Sequence, residues 1–201
     1  MVLTIQKYKI ILASNSPRRR YLLKQAGIEF DVIPSDFDES LVALRDPCQY
    51  VRTLSRSKAE SIALHYPDRW VIGADTIVSI CGKILGKPKD PSEARAMLEQ
   101  LSGQTHQVYT GFTICCVDLR KRFTDVVSTD VTFKTLTSDE IKWYIHTEEP
   151  FDKAGAYAIQ GLGTFLVARI NGSYTNVVGL PVSEVIEYLI REEVVRMQAD
   201  E

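Results

Sequence analysis

Apolar positions in this chain gather into runs that are either nearly continuous or spaced at the helical period. The longest continuous run, Trp70-Val71-Ile72-Gly73-Ala74-Asp75-Thr76-Ile77-Val78-Ser79-Ile80, is broken by one carboxylate. It predicts a central strand buried on both faces. A shorter run, Ile10 to Ala13, passes straight into Ser14-Asn15-Ser16-Pro17-Arg18-Arg19-Arg20, after which Leu22, Leu23 and Ala26 recur at helical spacing. Ser16 suits an N-cap, Pro17 the first helical position and Gly27 the C-terminal stop, so this stretch reads as a strand turning directly into a helix.

The remaining pattern alternates the same two elements. Glu29 to Ile33 predicts a short strand closed by Pro34, and residues 35–47 an acidic loop. Pro47 opens a helix to about His65 with Tyr50, Val51, Leu54 and Ile62 on its buried side and Lys58 at the edge of that face. Cys81-Gly82-Lys83 predicts a turn into a basic loop, Leu85 to Asp90. Asp90 and Glu93 then form the capping box of a helix carrying Met97, Leu98 and Leu101, ended by Gly103. Gln107–Val117 and Phe123–Phe133 read as an antiparallel hairpin, Ser138 as the cap of a helix with Ile141, Tyr144 and Ile145, and Asn171-Gly172 as a hairpin turn. An amphipathic helix from about Val182 to Val195 completes the chain. No internal repeat or low-complexity linker interrupts it, and 201 residues suit one domain spanning 1–201.

Composition narrows the chemistry. Apolar content of 45% and a net charge of −2 argue against a general nucleic-acid or membrane-surface binder, so any basic site must be local. Residues 1–28 supply one: Lys7, Lys9, Arg18, Arg19, Arg20 and Lys24 occur with no acid among them, and Glu29, Asp31, Asp36, Asp38 and Glu39 follow. No apolar stretch approaches a membrane span and the N-terminus lacks a signal-peptide h-region, so the cytoplasm is expected. The four cysteines, Cys48, Cys81, Cys115 and Cys116, show no C-x-x-C spacing and read as free thiols.

Chemistry-bearing residues stand out against this frame. Ser14, Ser16 and the arginines at a helix N-terminus form either an anion cradle or an ordinary solvated helix start. Asp75 inside an apolar strand must hold a metal, a cation or several donors, because an unpaired buried carboxylate costs several kcal/mol. Gly82 to Lys87 is not a P-loop: it is one residue short, and Pro88 stands where a hydroxyl is needed. Pro150 to Gly163 is rich in small residues that admit close backbone approach, with Gln160 offering both a donor and an acceptor. Scattered histidines and the absence of a Gly-x-Ser-x-Gly elbow or H-E-x-x-H disfavour nucleophilic serine and zinc hydrolysis. What remains is an oxygen-ligand metal site from Glu39 and Asp75 with Arg18, Arg19, Lys58 and Lys87 as cations, the inventory of metal-assisted phosphoryl transfer to water.

Ser14-Asn15-Ser16-Pro17-Arg18-Arg19, Asp38-Glu39, Lys58, Gly73-Ala74-Asp75-Thr76, Gly86-Lys87-Pro88, Asp152-Lys153-Ala154-Gly155 and Ala158-Ile159-Gln160-Gly161 occur in this order. Together with Gly172-Ser173-Tyr174 and Val178-Gly179-Leu180-Pro181, they resemble the Maf family of nucleotide pyrophosphatases over nearly the whole chain. The resemblance implies an α/β fold, a two-lobed single domain with an elongated mixed β-sheet flanked by helices, similar to inosine-triphosphate pyrophosphatases, in a homodimer. It implies hydrolysis of a nucleoside triphosphate to monophosphate and pyrophosphate with Mg²⁺ or Mn²⁺. By motif, Asp75 is the proton acceptor, Glu39 a metal or water partner, and Ser14, Arg19, Lys58 and Lys87 the phosphate contacts. Arg18, Thr76 and Gln160 match the branch similar to dTTP/UTP pyrophosphatases, and Arg20 reads as solvated. A second implication is a nucleotide-binding regulator of septum formation that does not hydrolyse; paired Glu39 and Asp75 speak against it, because added carboxylates weaken phosphate binding without a metal.

Overall fold

The computed structural model describes residues 4–43 and 46–197. Its strands are β1 (Thr4–Gln6), β2 (Ile10–Leu12), β3 (Asp31–Val32), β4 (Trp70–Ile80), β5 (Lys83–Leu85), β6 (Thr105–Cys116), β7 (Lys121–Phe133), β8 (Val167–Asn171) and β9 (Val195–Met197). Its helices are α1 (Pro17–Gln25), α2 (Pro47–Ala63), α3 (Pro91–Leu101), α4 (Ser138–His146), α5 (Tyr174–Val178) and α6 (Val182–Arg191). A seven-stranded sheet runs β3-β2-β4-β6-β7-β8 with β5 paired to β4, while β1 and β9 form a separate antiparallel pair. β2 is parallel to β3 and β4, whereas β5 is antiparallel to β4 and β8 to β7. The sheet is therefore mixed, and α1 and α2 supply the crossovers its parallel pairs require. The chain divides into two compact units, one comprising residues up to Asp75, Thr110–Val126 and the stretch from Gly179, the other Thr76–Tyr109 and Val127–Val178.

In the first unit, local sequence explains the strand-to-helix turn. Ser16 caps α1 by accepting from the Arg19 N–H, and Gly27, at φ 73°, closes it. Ile28 N–H donates to Leu23 O and Gly27 N–H to Lys24 O, the Schellman arrangement that satisfies the last carbonyls. α2 is capped by Asp46, and its Ala59, Ile62 and Ala63 pack with Ile11, Ala13, Val71 and Cys115. Gly73 and Gly111 make that packing close: a Cβ on Gly73 would sit 2.5 Å from Ser55 O, and one on Gly111 2.3 Å from Val51 O. The last helix ends at Arg191, short of the expected Val195, because Val195 enters β9 opposite Gln6.

In the second unit, α3 and α4 cover a core built from Val78, Leu98, Leu101, Val131, Phe133, Tyr144 and Tyr157. Cys81 and Gly82 both have positive φ, which closes a two-residue β4–β5 hairpin where a turn into a loop was expected. Asp90 caps α3, but the Glu93 carboxylate accepts from the Lys89 N–H and not from the cap residue's own. Thr137, not Ser138, caps α4, in a full capping box with Glu140. Asn171-Gly172 is not a hairpin turn: Ser173 takes the Asn176 N–H on its hydroxyl and turns the chain from β8 into α5.

Candidate active site

Six of the expected residues, Ser14, Arg18, Arg19, Glu39, Lys58 and Asp75, lie in the first unit, with Arg18 and Arg19 on the first turn of α1. β2 carries its register past Leu12, with Ala13 N–H donating to Ile72 O at 2.8 Å, and so delivers Ser14 to the carboxyl end of the parallel strands. That edge is where ligands bind open α/β sheets. Ser14 Oγ accepts from the Ser16 N–H at 3.2 Å and from Arg19 Nη1 at 3.1 Å. Arg19 Nε donates to Gly179 O at 2.8 Å, so its guanidinium is held at two points. Gly179, quoted in the sequence pattern without a role, is thereby an orienting residue for Arg19. Burial lowers the Arg19 pKa, and Arg18 adds to the lowering, while Asp75 and Glu39 oppose it. Arg20 is half-buried as a residue, and the contact of its guanidinium, Nη2 3.5 Å from Asn15 O, is exposed.

Lys58 turns inward from α2. Its Nζ lies 2.6 Å from Asp75 Oδ1 and 2.7 Å from Glu39 Oε1, and its side chain is 13% exposed. The carboxylate that interrupts β4 is thus paired with a cation. Asp38 holds Glu39 nearby by capping a short 3₁₀ turn, Glu39–Leu41, through the Ser40 N–H. Burial raises the Asp75 pKa, against the charges of Lys58 and Arg19, and Glu39 adds to the rise. Tyr50 was read only as a core residue, yet burial and the charges of Asp75 and Glu39 raise its pKa, which places its hydroxyl in the field of both carboxylates. The signal was present in the sequence, since Tyr50, Leu54 and Lys58 share one helical row.

The other expected residues lie elsewhere. Thr76 follows Asp75 along β4 and is half-buried. In the second unit Lys87 is exposed between β5 and α3, in a loop fastened by Gly155 N–H to Gly86 O at 3.0 Å. Gln160, also in that unit, lines a groove of about 600 Å³ with Arg169 and Tyr174.

Among the described residues no group of three or more His, Cys, Asp or Glu side chains is placed to hold a metal. Glu39 and Asp75 nonetheless converge on one ammonium, so both carboxylates reach a single cation position. Two carboxylates fit Mg²⁺ or Mn²⁺, ions that complete their coordination with water and substrate phosphate oxygens.

A strand-to-helix turn rich in hydroxyl and guanidinium donors stands beside a buried carboxylate–lysine pair on an α/β sheet. The chain belongs to the Maf family: the family described as Maf-like protein matches residues 9–192. It is 54% identical to a dTTP/UTP pyrophosphatase of Syntrophus aciditrophicus, covering 90% of this chain and 88% of that protein. Proteins of the same name from Geotalea uraniireducens and Myxococcus xanthus are 52% and 50% identical, covering 92% and 90% of this chain and 95% and 91% of theirs. Among solved structures, the Staphylococcus aureus Ham1 protein is similar at TM-score 0.44 and 16% identity, over 92% of this chain and 99% of that one.

Proposed function

We propose that this chain is a nucleoside triphosphate pyrophosphatase that converts dTTP and UTP to the monophosphate and pyrophosphate. The observation that carries the reading is the buried Asp75 carboxylate, 2.6 Å from Lys58, in a chain whose relatives at 50–54% identity are named dTTP/UTP pyrophosphatases. Water attacks the α-phosphorus, the α–β anhydride bond breaks, and the new oxygen stays on the monophosphate. Asp75 takes the water proton; a carboxylate whose pKa burial has raised is a better base than an exposed one. Arg19 keeps its charge at every working pH and, fixed by Ser14 and Gly179, presents it without reorganisation. Lys58 and Lys87 add point charges that attract phosphate oxygens. A divalent ion, when bound, would be held by Glu39 and Asp75 and would neutralise charge on phosphate oxygens.

Arg18, Thr76 and Gln160 select the base in this reading. No helix among the described residues is long and apolar enough to cross a membrane. The reading extends to a cytoplasmic homodimer that does not bind nucleic acid. Incubation with a nucleotide panel and Mg²⁺ or Mn²⁺ is expected to release pyrophosphate from dTTP and UTP. Orthophosphate, or no turnover, overturns it, and tight nucleotide binding without any product supports the regulatory alternative.

A further inference from the structure

Gln160 has neighbours on both sides in the chain that are each tied down by a side chain from elsewhere in the second unit. Before it, the Ala158 N–H donates to Tyr144 Oη at 3.1 Å, and Ile159 O accepts from Thr164 Oγ1 at 3.2 Å. After it, Gly161 O accepts from the same Thr164 hydroxyl at 2.7 Å, and the Leu162 and Gly163 N–H groups donate to Glu149 at 3.1 and 3.0 Å. Tyr144 Oη donates to Glu149 Oε1 at 2.8 Å, so one carboxylate gathers both halves of the clamp.

The backbone is shaped to this arrangement. Gly161 has φ 72°, and a Cβ there would lie 2.6 Å from Glu149 Oε2. On Gly163 a Cβ would lie 2.3 Å from Ala158 O and 2.6 Å from Tyr144 Oη. Glycine is required at both places for the carboxylate and phenol to reach the main chain. Tyr144 is wholly buried, whereas Gln160 is half-buried and lines the groove with Arg169 and Tyr174. The backbone on both sides of Gln160 is thus tied down, while its side chain lines the groove.

We propose that Glu149, acting with Tyr144 and Thr164, is a positioning residue that fixes the backbone from which Gln160 presents its side chain to the base of a pyrimidine nucleotide and thereby sets base selectivity. This rests on the assignment of Gln160 to base recognition above. A carboxamide offers one donor and one acceptor edge, matched to the imide of uracil or thymine, and it discriminates only when its backbone cannot shift to suit another base. Glu149 does this better than glutamine could. Its two oxygens take three donors, whereas a glutamine amide would turn an N–H₂ toward one of them and leave the pair unmade.

The test compares Glu149→Gln, Thr164→Val, Gln160→Ala and the double variant Glu149→Gln/Gln160→Ala. Turnover of dTTP, UTP and CTP is measured with inhibition by inorganic pyrophosphate as a probe of the phosphate side. Glu149→Gln and Thr164→Val are expected to raise KM for dTTP about tenfold with kcat little changed, and to cut the dTTP-over-CTP preference about fivefold or more. Pyrophosphate inhibition should stay within about twofold. In the Gln160→Ala background, Glu149→Gln should lower the preference no further, because both act through one group. Thr164 is exposed, so its variant keeps the test decisive should Glu149→Gln fail to fold. An unchanged preference in the Glu149 and Thr164 variants, with Gln160→Ala selectivity lost, overturns the positioning role alone. Unchanged preference in Gln160→Ala overturns the assignment of Gln160 beneath it.

Discussion

Lys58 and Asp75 meet at 2.6 Å with side chains only 13% and 12% exposed, one from a helix and the other from the middle of a strand. Removing either partner weakens the compensation of the other, leaving Lys58 with Glu39 and Asp75 with the charge of Arg19. Their separation is set by Gly73, where β4 lets the α2 backbone approach.

The pair sets the acid limb of the pH–rate profile. Burial raises the Asp75 pKa and Lys58 lowers it, so the limb of kcat/KM lies above the ordinary aspartate value. Lys58→Met removes a lowering influence, and the limb is expected to move up by about one pH unit or more. An unmoved limb would separate Asp75 from the titration.

Arg19→Lys is expected to raise KM for dTTP about tenfold with little change in fold, since an ammonium cannot span Ser14 Oγ and Gly179 O as the guanidinium does. Steady-state kinetics with circular dichroism decide it; a KM within twofold of wild type would contradict the role given to Arg19.

Gly73→Ala places a methyl against Ser55 O and the Ala59 backbone, a contact that only a shift of α2 relieves. A loss of about 1–3 kcal/mol in urea denaturation is expected, together with lower turnover because Lys58 moves with the helix. Full stability in this variant would show that the approach of α2 to β4 is not tight.

His106 should make the protein acid-sensitive. It is fully buried, with Nε2 2.8 Å from Tyr157 Oη and no partner on Nδ1 among the described residues, and burial lowers its pKa to about 4. A folded value below the unfolded one of about 6.5 means the unfolded chain binds the proton first, so stability is whole above about pH 6.5 and falls as pH drops toward 4. Between pH 7 and 5 this group costs about 2 kcal/mol. His106→Gln should flatten that part of the stability–pH curve; an equally steep curve would assign the loss to other groups.

Local signals carried most of the fold into view. β4 begins and ends where its apolar run does, and Ser16, Pro17 and Gly27 mark α1 to within a residue, because caps and periodicity act over one turn. β1 and β9 were hidden, since each is three residues long and formed by pairing across the chain. The turn at Cys81-Gly82 was legible, but β5 was hidden because it is three residues long and formed by pairing back onto β4. Asn171-Gly172 misled because its glycine suits either a hairpin or a helix entry, and only Ser173 distinguishes them. Within the site, Asp75 announced itself as a charge in an apolar strand. The i, i+4 row Tyr50, Leu54 and Lys58 was legible in the helix, but the partners that Lys58 and Arg19 meet, Asp75 and Gly179, depend on contacts between distant segments, which no local spacing encodes.

The central claim is tested most directly by ³¹P NMR of dTTP turnover in ¹⁸O-labelled water, comparing the wild-type protein with Asp75→Asn. The account predicts dTMP and pyrophosphate in equal amounts, the label on dTMP, and no measurable product from a folded Asp75→Asn variant. Orthophosphate with dTDP, or undiminished turnover by Asp75→Asn, would contradict it.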